Sequence, residues 1–142
     1  MNHHHQIDKH KYLLARARIL DAIRLFFRNH RFLEVETPNR IPAPAPEAHI
    51  DAIPSDGWYL HTSPELCMKR LLAAGFPRIF QISKCYRHQE RGHLHLPEFT
   101  LLEWYCGDID YRAMMDQSEE LIHFIVQHTR ERESILFRDQ SI

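Results

Sequence analysis

Apolar and polar residues recur along this chain with two periods, and the switches between them mark its elements. Over Ile7–Asn29, Leu13, Leu14, Ala17, Leu20, Ile23, Leu25, Phe26 and Phe27 broadly follow helical spacing, with Arg16, Arg18, Arg24 and Arg28 between them. Asp8 is placed to complement the helix start, and Asn29 and His30 are placed to stop it. Phe32–Glu36 then alternates as a short strand. Thr37-Pro38 ends it, because proline cannot donate to a sheet ladder. Ile41–Ala48 (IPAPAPEA) reads as an extended, proline-spaced surface connector. Strands at Ile50–Ile53 and Trp58–His61 would flank a turn at Ser55-Asp56-Gly57.

Thr62-Ser63-Pro64-Glu65 has the composition of a helix start. Ser63 can cap, Pro64 suits the first helical position and Glu65 complements the dipole. That helix runs to about Ala74, with Met68, Leu71 and Leu72 inward and Gly75 and Pro77 ending it. Ile79–Tyr86 and Phe99–Tyr105 are rich in aromatic and β-branched residues and read as two strands. The stretch between them, His88–Leu96, is too polar and too long for a tight hairpin turn. Gly107-Asp108 is a turn, and Asp110–Arg132 is a second long helix ending in a solvated RERE face. The final SILFRDQSI reads as the opening of a further element. These elements predict an α+β fold: an antiparallel sheet flanked by helices, in a single domain over residues 1–142.

Composition removes several classes of function. A net charge of −1 gives no global field for nucleic acid or membrane, though a local basic patch remains open. Cys67, Cys85 and Cys106 are odd in number and lack CxxC spacing. They argue for reduced thiols and a cytoplasmic setting rather than a disulfide framework or a zinc knuckle. No apolar run approaches membrane-spanning length. His93-x-His95 with nearby His88 lacks a third and fourth ligand close in sequence, so no metal site is assigned. A basic, hydrogen-bonding loop over an anion fits His88, Arg91, His93 and His95 better. No GxxxxGK[ST] loop occurs, so a bound nucleotide would be held by arginine and sheet-face contacts.

Strand alternation singles out two faces. In the first strand Gln81, Ser83, Cys85 and Arg87 form a small polar face that ends in a guanidinium. In the second, Phe99, Leu101, Glu103 and Tyr105 place a carboxylate and a phenol on an apolar surface. A half-buried carboxylate requires a cationic or hydrogen-bonding partner. Two readings stand at this point: a structural Arg–Glu pair inside the sheet, or a zwitterionic or phosphorylated ligand between the two groups. Glu65 likewise reads as a first-turn acid or as a ligand contact.

The order helix–strand–proline over Phe26–Pro38, then TSPE at Thr62–Glu65, then YRHQE…PEFTLLEWY at Tyr86–Tyr105, resembles the class II aminoacyl-tRNA synthetases. Within them the chain is most similar to the lysyl-tRNA synthetase branch and its compact paralogues that attach a lysyl group to elongation factor P. The likeness covers about Arg16–Tyr111, with motif 1 at about 18–38 and motif 2 at about 79–105. It implies activation of lysine or a lysine-like amino acid by ATP with Mg²⁺, elongation factor P or else a tRNA as acceptor, and a homodimer built on motif 1. Arg87 matches the motif 2 arginine that bridges the α-phosphate and the amino-acid carboxylate. Ser63, Pro64 and Glu65 match the loop and the acid that hold the α-ammonium. Glu103 and Tyr105 match the pair that receives the side-chain amine. His88, Gln89 and Leu96 fall at nucleotide-contacting positions where the family usually has Asn, Glu and Asn, which makes the nucleotide half the divergent one. The Gly-rich third motif does not occur in these residues. The resemblance therefore implies the front part of a catalytic domain, weak or inactive alone, with a non-catalytic binding module as the alternative. The early start of the motif 1 helix favours the protein-modifying paralogues over a tRNA synthetase.

Overall fold

A computed structural model describes residues 3–129, 136–137 and 140–141. The chain divides into two compact units, one made of the segments up to Arg31 and from Ile109 onward, the other of Phe32–Asp108.

In the first unit, α1 (His3–Asn29) packs against α3 (Tyr111–Thr129). Among the residues of α1 whose burial is described, the buried ones lie in its last turns: Ala22, Ile23, Phe26 and Phe27. Phe26 meets Phe27 and, on α3, Phe124 edge-to-face, with centroids 5.3 and 5.5 Å apart. Upstream, Tyr12 and Leu13 are each 66% exposed. The helix stops where the sequence predicts. His30 donates from Nδ1 to the Phe26 carbonyl at 2.8 Å, and Arg31 takes a left-handed φ of 62°. Asp110 caps α3 through Oδ1, which accepts from the Ala113 N–H at 3.0 Å. The RERE stretch lies outside the described residues. Within SILFRDQSI, β7 (Leu136–Phe137) and β8 (Gln140–Ser141) pair antiparallel. No helix among the described residues is long and apolar enough to cross a membrane.

The second unit carries two sheets and α2 (Glu65–Ala73). One sheet has the order β1-β5-β6, from Leu33–Glu34, Arg78–Tyr86 and Glu98–Cys106. The other has the order β2-β4-β3, from Arg40–Ile41, Trp58–Leu60 and Ile53–Ser55. The expected antiparallel pair is β5 with β6, nine residues each. The predicted Phe32–Glu36 strand is shorter, at Leu33–Glu34, and runs parallel to β5 rather than antiparallel. A Val35 N–H bond to the Phe80 carbonyl at 2.9 Å carries the contact one residue further before Pro38.

The strand expected at Ile50–Ile53 lies instead at Ile53–Ser55. Hairpin geometry moves it. Asp56 and Gly57 take φ of 51° and 76°, the two-residue turn that matches strand twist, and this turn fixes Ser55 opposite Trp58. Pro54 is tolerated because β3 is an edge. Gly75, at φ 96°, ends α2. There the Phe76 N–H reaches back to the Leu71 carbonyl at 3.2 Å.

His61 joins the two sheets. Its N–H donates to the Asn39 carbonyl at 2.9 Å, its own carbonyl accepts from the Tyr86 N–H at 3.0 Å, and Nε2 donates to the Lys84 carbonyl at 2.6 Å. The side chain is fully buried, which removes water as a competitor for those bonds. On β5, Gln81 is buried and accepts from the Thr37 hydroxyl at 3.0 Å, so the sheet interior holds a satisfied polar pair rather than an orphan.

Candidate active site

The register of β5 with β6 sets Gln81 opposite Glu103, Ser83 opposite Leu101 and Cys85 opposite Phe99. Directly opposed residues of an antiparallel pair share a face. The two faces singled out in the sequence are therefore one continuous face. Gln81, Ser83 and Cys85 on it are buried, while Phe99 through Cys106 are only half-buried and leave it partly open.

At one end stands a cluster built on Glu103. Ser63 donates from Oγ to Glu103 Oε2 at 2.7 Å, and Tyr105 donates from its hydroxyl to Oε1 at 2.6 Å. Ser63 Oγ also accepts from the Glu65 N–H at 3.1 Å. One serine thus satisfies an orphan amide of the α2 start and orients the carboxylate. This differs by one position from the expected cap: Pro64 occupies the N-cap position and α2 begins at Glu65. The cause is the Pro64 backbone, which lacks a capping side chain and leaves the donor-acceptor role to Ser63. Glu65 carries Lys69 as an i,i+4 ion pair on the exposed side of α2. That interaction raises the lysine pKa, through the hydrogen bond first and the charge of Glu65 second.

The charges in this cluster are unbalanced. Two carboxylates, Glu65 and Glu103, face one ammonium, Lys69. Among the described residues no cation pairs with Glu103. Burial foremost, then the hydrogen bond and charge of Glu103, push the Tyr105 phenol well above its ordinary value. Tyr105 is therefore a neutral donor at any ordinary pH. Beneath the same face the Cys85 thiol is pushed up by burial, which outweighs the opposing Ser83 hydrogen bond.

At the other end is Arg87, whose N–H bonds the Pro97 carbonyl at 2.9 Å. Pro97 lies six residues before Glu103, about 20 Å along the strand at the usual rise. That separation settles one alternative left by the sequence: Arg87 and Glu103 do not form an internal ion pair. Arg87 lies 3.6 Å from Glu90 through Nη1 and 4.9 Å from the Phe99 ring centroid. Its Nε is buried and has no hydrogen-bond partner among the described residues. An unpaired N–H on a charged group is costly unless a ligand completes it.

The remaining nominated residues disperse. His88 is exposed, and its N–H bonds the Asp51 carbonyl at 2.7 Å. It lines an open cavity of about 650 Å³ under the proline-rich connector, with Pro46, Ile50 and Tyr59. Gln89 is exposed with a left-handed φ of 58°. Leu96, 66% exposed, lines a smaller cavity with Arg87 and Phe99. Sequence reasoning missed Lys69, whose i,i+4 spacing from Glu65 was a usable signal. It also missed Glu90 and His61, which sit in non-periodic segments and gave none. Among the described residues no three His, Cys, Asp or Glu side chains are arranged to hold a metal ion.

Residues 3–140 match the family model of class II tRNA synthetases (D, K and N). The chain belongs to this family. Curated relatives include the elongation factor P–(R)-β-lysine ligase of Photobacterium profundum, 39% identical over 127 residues, which are 82% of this chain and 39% of that protein. The ligase of the same description from Yersinia enterocolitica is 42% identical over 124 residues, 80% of this chain and 38% of that protein. A lysine–tRNA ligase from Magnetococcus marinus is 37% identical over 135 residues, 90% of this chain and 27% of that protein. The chain thus spans less than two fifths of the length of each of these relatives. Among the described residues, three helices, two three-stranded sheets and the β7–β8 pair make a mixed α/β architecture, consistent with part of a class II core.

Proposed function

We propose that this chain supplies the amino-acid half of an ATP-dependent activation site for lysine or a lysine-like amino acid, with elongation factor P as the acceptor. The observation that carries the reading is Glu103: a carboxylate held by two hydroxyl donors, without a cation, on the same sheet face as an arginine with an unfilled donor. The Arg87 guanidinium reaches back over Phe99, four residues or about 13 Å along the strand from Glu103, so an extended aminoacyl phosphate, with an ammonium at one end and a phosphate at the other, suits both. Glu103 and Tyr105 take the side-chain amine. Glu65 takes the α-ammonium. The Lys69 pair there is solvent-exposed and weak, so a ligand ammonium that hydrogen-bonds Glu65 displaces it.

Arg87 then faces the reacting centre. The amino-acid carboxylate attacks the α-phosphorus of ATP, the bond to the β-phosphate oxygen breaks and pyrophosphate leaves, giving the aminoacyl-adenylate. Negative charge builds on the α-phosphate as this happens, and a fixed guanidinium stabilises it. The acceptor nucleophile next attacks the acyl carbon and expels AMP. Mg²⁺, when bound with ATP, would supply charge neutralisation at the phosphates. The similarity to a lysine–tRNA ligase over 90% of this chain favours tRNA as the second candidate acceptor.

Calorimetric titration with lysine and with norleucine, which lacks only the side-chain amine, tests the amino-acid half. Lysine binding without norleucine binding is expected, and equal binding of the two would sink the reading. We further propose a homodimer through the motif 1 region, supported there by the exposed Ile19 on α1 and Leu33 on β1, and a cytoplasmic setting, supported by three unpaired cysteines. Sedimentation at micromolar concentration should give the dimer mass, and a monomer would count against that interface.

A further inference from the structure

The local basic patch that a net charge of −1 leaves open is α1. Between Lys9 and Arg28 this helix carries six cations and a single acid, Asp21. Two of the cations, Arg18 and Arg28, have no ion-pair or hydrogen-bond partner among the described residues. Both line a cleft of about 310 Å³, together with Asp21, Ala22 and Leu25 of α1 and His128 of α3. Arg18, Asp21, Leu25 and Arg28 follow one stripe of the helix, at i, i+3, i+7 and i+10.

The end of α3 is prepared for an anion where it meets this cleft. The last carbonyls of a helix carry partial negative charge and would repel one. Here His128 Nδ1 donates to the Phe124 carbonyl at 2.8 Å, and the Thr129 hydroxyl donates to the Ile125 carbonyl at 2.6 Å. The His128 ring also stacks on Phe124, with centroids 3.8 Å apart. The imidazole is thereby fixed, and Nε2 is the ring nitrogen left for a ligand. Asp21 limits the charge the cleft can take. One carboxylate against two guanidinium groups leaves a net positive charge, and a cleft lined by such an excess focuses its field on an incoming anion. Guanidinium donors match phosphate oxygens in pairs. The volume lies at the lower end of small-molecule clefts, with room for a phosphate and a small attached group over Ala22 and Leu25.

We infer that the cleft between α1 and α3 is a phosphate-binding site, held by Arg18, Arg28 and His128 and built from the first unit alone. Its ligand chemistry is a phosphate ester or a diphosphate, which a small phosphorylated compound and a nucleic-acid backbone both present. Arg87→Ala, which removes the phosphate contact proposed above, supplies the background for the test. In that background the 142-residue chain is titrated calorimetrically with pyrophosphate and, separately, with a short single-stranded RNA. Binding of pyrophosphate marks a small-molecule site, and binding of the RNA without pyrophosphate marks a backbone site. Arg18→Gln combined with Arg28→Gln should weaken that binding at least about tenfold. Asp21→Asn should tighten it about twofold to fivefold, because it removes the one repelling charge. Arg112→Gln, which takes a charge from an exposed arginine of α3 outside the cleft, should change it less than about twofold. Binding of neither ligand overturns the site. So does binding that survives loss of both arginines, a loss on Arg112→Gln as large as theirs, or weaker binding in Asp21→Asn.

Discussion

The two ends of the β5–β6 face are built by opposite means. At the Glu103 end, polar atoms are carried by a strand interior and a helix start, and every donor has an acceptor: Ser63 and Tyr105 to Glu103, the Glu65 amide to Ser63. At the Arg87 end, the groups sit where β5 has run out, on a loop held by single backbone bonds, and one guanidinium nitrogen has no partner among the described residues. Networks on rigid elements hold a ligand group in place before it arrives, whereas loop sites gain their order on binding. The amine end should therefore be intolerant of substitution. The phosphate end should depend on charge more than on shape. It is also the end where the resemblance implies divergence, at His88, Gln89 and Leu96.

The severest test of this contrast is Glu103→Ala. It leaves two half-buried hydroxyls without an acceptor and removes the counter-charge proposed for the side-chain amine, so lysine affinity should fall about a hundredfold or more by calorimetry. A loss under fivefold would mean that the cluster is merely structural. Arg87→Ala comes next. Tripolyphosphate affinity should drop about tenfold to a hundredfold while lysine affinity falls less, because Glu65, Glu103 and Tyr105 still hold its two amines. Loss of lysine binding in this variant would show that the ends are coupled and break the comparison.

Much of this arrangement was legible before the structure. The alternation in Ile79–Tyr86 and Phe99–Tyr105 gave both strands and both faces. It could not give their registration, because the stretch between them, unlike a two-residue turn, does not fix which residues pair. Only the Gln81–Glu103 pairing makes one face of two. The short strand after α1 was legible as a strand but not as a parallel one, since period-two alternation carries no direction. Ile53–Ser55 differs from the expected strand because Ser55 reads as part of the turn, whereas the left-handed Asp56-Gly57 pair makes a two-residue turn that leaves Ser55 in the strand. Glu90 was illegible for a different reason: its position follows from the backbone reversal at Gln89, and a lone glutamine does not announce positive φ.

Ser63→Ala is a finer test. It takes one of two donors from Glu103 and the acceptor from the Glu65 amide. Lysine affinity should fall about fivefold to tenfold, and stability should fall by about 1 kcal/mol in urea denaturation. The smallest effect is with pH. The Tyr105 phenol is raised in the folded state from an ordinary value of 10.0, and the Cys85 thiol from 9.0. Above those values the unfolded chain releases these protons while the folded chain retains them. Their contribution is thus complete below about pH 9 and is progressively lost as the solution becomes more alkaline. Tyr105→Phe should flatten the alkaline limb of a stability–pH curve. An unchanged limb would show that the phenol is not held neutral by Glu103.

The join at His61 has a consequence for how the second unit comes apart. Strands of two and three residues are too short to persist alone, and β2, β3 and β4 are of that kind. The Tyr86 amide is tied across the join, to the His61 carbonyl, whereas the His61 amide is tied to Asn39 beside β2, within the smaller sheet. Release of the Tyr86 amide therefore requires the two sheets to part, while fraying of the two-residue β2 suffices for His61. The Tyr86 amide should exchange at the slower rate of the two, so that protection falls off from the larger sheet into the smaller one.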